Sequence, residues 1–138
     1  QEMISRGAYY LKKASVGDVL SKYHLEAGIA WWHTVKEDTT GKWENILQLY
    51  NRLLQIEYSP LAALNRTYAL SRVKGKGAAI PEAEKLALTG NHFYFILLGE
   101  LYTGTDQEKA ADHFRKALQL AKSETDKKTI LKKLAPLL

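Results

Sequence analysis

Apolar residues recur every three or four positions along almost the whole chain, and no segment alternates with period two over a useful length. That pattern predicts helices joined by short loops, and no sheet. Ile4, Ala8 and Leu11 predict a first helix over Ile4–Ala14, which Val16-Gly17-Asp18 then breaks. Ser21 reads as the N-cap of a second helix, from Lys22 to about Val35. After the EDTTG loop, Trp43, Ile46, Leu47, Tyr50, Leu53 and Leu54 form one apolar stripe on a third helix, Lys42–Ile56. Ser59-Pro60 is a start signal, a capping hydroxyl followed by proline at the first helical position, and opens a fourth helix to about Lys74. KGKGAA ends that helix, and Pro81 is expected to open a fifth, to Leu88. A sixth helix covers His92–Tyr102, Asp106 caps a seventh to Lys122, and Ser123 to Asp126 form a capping-box variant for a last helix ending before Pro136.

Loops this short make neighbouring helices antiparallel, so the expectation is a single domain over 1–138, built as a stack of helical hairpins. The stretch YHLEAGIAWWH, Tyr23 to His33, tests whether chemistry is hidden in it. A helix turns about 100° per residue, so His24 and His33 point to roughly opposite sides and do not share a metal ion. His24-Leu25-Glu26 has the H-x-E of zinc deaminases, but the chain has no cysteine to complete such a site, and H-E-x-x-H is absent. Leu25, Gly28, Ile29 and Trp32 follow helical spacing, as do Ala27, Ala30 and Trp31, which predicts a central helix buried over most of its circumference. Gly28 costs about 1 kcal/mol relative to alanine in a helix interior, and close contact with a neighbouring helix is the expected offset.

The segment LLGELYTGTDQEKAADHFRKALQL matches the tetratricopeptide (TPR) pattern, with residues 92–122 the best hairpin. Leu98, Gly99 and Tyr102 sit where that repeat has its first-helix Leu, Gly and Tyr, and Phe95 stands in the place of its usual Trp. Ala110, Phe114 and Ala117 match the second helix. Small residues at Gly99, Ala110 and Ala117 let two helices approach, and Tyr102 and Phe114 fill the gaps. WENILQLYNRLLQIEYSPLAALNRTYAL has the same hairpin layout with a looser match. A lone repeat cannot bury its faces, so the fold class expected is all-α, antiparallel hairpins stacked as a TPR-like right-handed superhelix.

Several segments together resemble a larger unit. SKYHLEAGIAWWH, KWENILQLYNRLL, SPLAALNRTYAL, FYFILLGELY and EKAADHFRKALQLA occur in this order. They resemble the C-terminal extension of a group of extracytoplasmic-function (ECF) sigma factors, whose pattern is close to YxLxAAIAxxH, a Trp-containing helix ending in LYxxLL, SPxxxLNRAxA, and a TPR-like hairpin. The resemblance runs from about Gly7 to Leu134. Gly28 stands where alanine is usual, and Thr67-Tyr68 replace Ala-Val. The two promoter-reading domains of such factors do not fit within these residues. The chain opens QEMISRG, with methionine third, which reads as a piece of something longer. The resemblance implies a bacterial transcription initiation factor as parent, and a regulatory TPR-like domain that docks on the promoter-reading domains of the same sigma factor, on RNA polymerase, or on a regulatory protein. It implies a cytoplasmic location and no promoter binding by this piece alone.

Net charge changes that picture little. The chain carries +5 with pI near 9.3, which permits acidic partners. Residues 58–80 contain no acidic residue but hold Arg66, Arg72, Lys74 and Lys76. These read either as cations favoured at a helix C-terminus or as a patch for an acidic partner or phosphates. Lys127, Lys128, Lys132 and Lys133 read as the polar outer face of a capping helix. No apolar run approaches the roughly 18–20 residues of a membrane span.

Candidate interaction or helix-locking residues are Tyr23, His24 and Glu26, a polar patch at a helix start, together with Asn65, Arg66 and Arg72. Asn65, expected half-buried, needs partners, and backbone groups of the adjacent hairpin are the expected ones. Arg66 is expected to pair with Glu26 or Glu57 and lock two hairpins, or else to contact a ligand. No nucleophile–base pair, phosphate loop or spaced ligand cluster is present, and His92 and His113 fall on separate helices. The reading is therefore a binding domain with no catalytic residue, metal or cofactor. The alternative is a free-standing TPR-like adaptor that binds a peptide or an acidic protein.

Overall fold

The computed structural model describes residues 20–138. The helix expected over Ile4–Ala14 and the break after it lie outside the described residues. Among those described, the chain is all-helical and has no strand. Helix α1 covers residues 20–34. It is followed by α2 (Thr40–Ile56), α3 (Pro60–Lys74), α4 (Lys76–Leu86), α5 (His92–Tyr102), α6 (Gln107–Leu120), α7 (Glu124–Leu134) and a 3-10 turn (Ala135–Leu137).

Local capping chemistry sets most of the starts. Thr39, Ser59, Asn91, Asp106 and Ser123 each hold an extended backbone and accept a hydrogen bond from an otherwise orphaned N–H of the first turn. Ser21 does not act in this way: residue 20 is already helical, and Ser21 lies inside α1.

The fifth helix starts earlier than Pro81. Gly75, at φ +95°, reverses the chain in one residue and serves as both the end of α3 and the start of α4. Pro81 therefore sits inside α4, where its missing N–H leaves the Gly77 carbonyl without a helical partner. Gly77 is exposed, while Ala79 and Ala83 are fully buried, so packing of the small face offsets the lost bond.

Sequential helices pack on one another from α2 through α7, and α3 also touches α5 past the intervening α4. Two apolar clusters result. One joins Leu25 and Ile29 of α1 to Ile46, Tyr50 and Leu53 of α2 and to Ala62 and Ala69 of α3. The other centres on α5 and α6 and reaches Leu64, Ala83 and Ile130. The α5–α6 hairpin is closely packed: a Cβ added to Gly99 would meet Phe114 ring atoms at 2.7 Å. Ala110 and Ala117 are fully buried beside it.

Helix α1 departs from the expectation of a central, all-round buried helix. Leu25 and Ile29 are buried and Gly28 and Trp32 half-buried, but Ala27 and Ala30 are exposed, Tyr23 is 67% exposed and Trp31 59%. Only the stripe turned toward α2 is covered by described residues. Gly28 faces Leu49 of α2, yet a Cβ there would sit 3.4 Å from the nearest Leu49 methyl, an ordinary contact. Close helix approach therefore does not demand glycine at this position.

Candidate functional site

A groove of about 600 Å³ opens where the first and last parts of the stack face each other. Asp38 and Thr39, from the loop before α2, and Trp43, from its first turn, form one end. Tyr68 and Arg72 of α3 and Lys76, the first residue of α4, form a wall. Glu100, Leu101 and Thr103 of α5, Phe114 of α6, Lys133 of α7 and Leu137 of the terminal turn close the other side.

The caps and breaks described above aim these side chains. Thr39 fixes the start of α2, so Trp43 projects from the first turn toward α3, edge-on to Tyr68 with ring centres 5.4 Å apart. Asp38 accepts a hydrogen bond from the Trp43 indole N–H and pairs with the Arg72 guanidinium. Arg72 in turn lies 5.4 Å from the centre of the Trp43 ring, within cation–π range. The Trp43 indole is the largest influence holding the Asp38 carboxyl below the usual carboxylate range; partial desolvation opposes it, and Arg72 and Lys42 reinforce it. Lys42, itself buried, donates to the Val35 carbonyl at 2.8 Å and ties the end of this loop down. Across the groove, Lys133 Nζ lies 3.1 Å from Glu100 Oε2. Lys76 Nζ donates to the Thr103 carbonyl at 2.8 Å.

A second cavity of about 390 Å³ lies between α1, α2 and the start of α3. Its floor is Ile29, Leu53 and Ala62, and the Lys22–Glu57 ion pair stands at its rim. The hydrogen bond and charge of Glu57 raise the Lys22 pKa above the usual lysine value.

No family model matches the chain, and no solved structure matches it. An uncharacterized protein of Rhizobium meliloti (strain 1021) is similar, at 30% identity over 128 residues. Those residues are 90% of this chain and 30% of that protein, so the chain spans less than a third of its relative's length.

The residues singled out in the sequence go to different places. Arg72 reaches the first groove. Glu26 and Asn65 both line the second cavity. Tyr23 and His24 line neither; both are exposed on α1, with ring centres 6.2 Å apart. Asn65 is exposed rather than half-buried, and its side chain hydrogen-bonds with the Tyr50 hydroxyl of α2. Burial of Tyr50 raises its pKa and this contact partly counters the rise. Arg66 does not pair with Glu26 or Glu57. Its Nε donates to Asn51 Oδ1 at 2.9 Å, and its Nη1 lies 3.7 Å from Glu82 Oε1, joining α2, α3 and α4. Glu57 precedes α3, whereas Arg66 lies almost two turns along it, and Lys22 already holds Glu57.

Sequence reasoning missed Asp38, Trp43 and Glu100 as groove residues and took Lys133 for plain outer surface. An acidic residue just before a capped, Trp-bearing first turn was the available local signal for Asp38 and Trp43. The described residues contain no group of three or more His, Cys, Asp or Glu side chains placed to hold a metal ion. None of their helices is long and apolar enough to cross a membrane.

Proposed function

We propose that the chain is a regulatory protein-interaction domain of an ECF-type sigma factor, stacked as a TPR-like right-handed superhelix and acting from the cytoplasm. The observation that carries this reading is the groove at Trp43 and Arg72. It has aromatic walls, charged side chains already ordered by partners, and a volume within the roughly 300–1,000 Å³ of binding clefts. The ordered segments that resemble the sigma-factor extension support it, as do the Gly99–Phe114 hairpin and the contact of α3 with α5. The much longer relative leaves room for the promoter-reading domains on which this domain would dock. In this mechanism the groove grips those domains, RNA polymerase or a regulatory protein, and a change in that grip sets the transcription output. No chemistry, metal or cofactor is required, and promoter contact belongs to the other domains.

Reporter transcription from the parent factor's target promoter tests the reading. Deleting residues 20–138, or replacing Trp43 and Arg72 by Ala and Glu, is expected to change output or its regulation. Unaltered output and regulation in both variants would reject it. A free-standing adaptor for an acidic protein is the second reading, favoured by the excess of cations in the groove. Capture of a partner by the isolated chain, with no effect on transcription, would select it.

A further inference from the structure

Among the described residues the groove holds one more cation than carboxylates. Arg72 is answered by Asp38 and Lys133 by Glu100, but Lys76 has only the neutral Thr103 carbonyl. That carbonyl caps the C-terminus of α5, where the helix dipole supplies about half a negative charge, so Lys76 is only partly compensated. The same groove also presents apolar and aromatic side chains, among them Trp43, Tyr68 and Leu137.

We propose that this groove takes an acidic segment of a protein partner, with one carboxylate on Lys76 and an adjacent apolar side chain among Trp43, Tyr68 and Leu137. The proposal rests on the docking role given above and narrows it to a partner chemistry. A single carboxylate matches the single surplus charge and forms a charge-assisted contact. A run of phosphates does not match, because Asp38 and Glu100 stand on both sides of the groove and repel successive charges.

Fluorescence anisotropy on the full 138-residue chain provides the test. The probes are a labelled Gly–Ser peptide carrying one Glu–Leu pair (the Glu–Leu peptide), its Lys–Leu counterpart, and a labelled oligothymidylate. The Glu–Leu peptide is expected to bind, less tightly as salt is raised. Lys76→Gln keeps a donor for the Thr103 carbonyl while removing the charge, and is expected to weaken binding roughly tenfold. Lys76→Glu weakens it further. Lys128→Glu, a charge reversal on the exposed side of α7, is expected to leave affinity within about twofold. No binding of the Glu–Leu peptide, or equal losses from the Lys76 and Lys128 variants, overturns the proposal. Oligothymidylate binding that Lys76→Gln abolishes also overturns it, in favour of nucleic acid. Lys–Leu peptide binding that Trp43→Ala abolishes would sink the acidic preference and leave the docking role standing. Failure of every probe, together with the null transcription result above, would remove both.

Discussion

Gly99 of α5 lies against the ring of Phe114 of α6 with no room for a methyl group between them: a Cβ would fall 2.7 Å from two ring carbons. Phe114 is 1% exposed, so admitting a methyl group means shifting a packed ring. Gly99→Ala is therefore expected to destabilise the protein by about 1–3 kcal/mol, despite alanine's better helix propensity. Urea unfolding followed by circular dichroism measures this; an unchanged midpoint would mean the hairpin is looser than described.

Gly28 of α1 behaves in the opposite way. Gly28 has space for a Cβ beside the flexible Leu49 side chain, and its backbone is ordinary helix. Gly28→Ala is expected to raise stability by up to about 1 kcal/mol. The same unfolding measurement distinguishes the two sites by sign.

Alkaline pH should loosen the junction of α4 and α5. The Tyr102 hydroxyl donates to Glu84 Oε2 at 2.8 Å, and this bond, with burial and nearby negative charge, pushes the phenol up to about 12 from 10.0. Below pH 10 the bond contributes fully. Between pH 10 and 12 the unfolded chain has released the proton while the folded one still binds it, so stability falls as pH rises. Tyr102→Phe is expected to flatten that decline, leaving the part due to Tyr94 and Tyr50, whose pKa values are also raised.

Acid acts through His113, whose ring lies between those of Phe95 and Tyr102, at 5.9 and 5.5 Å. Its Nδ1 is buried and has no hydrogen-bond partner among the described residues. Burial, then the Lys116 charge, pushes its pKa below 6.5. The unfolded chain takes up the proton first as pH drops below 6.5, so stability present above that value is lost until the folded pKa is passed. His113→Gln should remove this part of the acid slope in thermal melts between pH 7 and 5.

Arg66 is placed to hold three helices. Arg66→Ala is expected to cost about 1–2 kcal/mol, chiefly through the half-buried bond to Asn51. Glu82→Ala should cost less than about 0.5 kcal/mol, since that pair is longer and more exposed. A double-mutant cycle of Arg66 with Asn51 checks the assignment, and additive losses would contradict it.

Helix identity and most helix starts were legible in the residues alone. Ser59-Pro60, Asp106 and Ser123 each satisfy an N–H within one turn, so no distant group decides the outcome. The small residues of the α5–α6 hairpin were legible for a similar reason: Gly99, Ala110 and Ala117 mark closeness whatever else surrounds them. Pro81 misled because a local start signal was overridden by Gly75, whose left-handed φ had already turned the chain. The burial of α1 misled because periodicity reports which residues are apolar, and only the position of α2 decides which of them are covered.

The candidate site belongs to the other category. Asp38 meets Arg72, Lys22 meets Glu57 and Lys133 meets Glu100, each across more than thirty positions of chain. Such pairs depend on how far each helix is rotated about its axis and how it is offset along its neighbour. Those two quantities are set by side-chain packing over the whole stack. The sequence by itself determined a row of capped helices with one tight hairpin; tertiary packing alone decided which charged and aromatic side chains face each other across a groove.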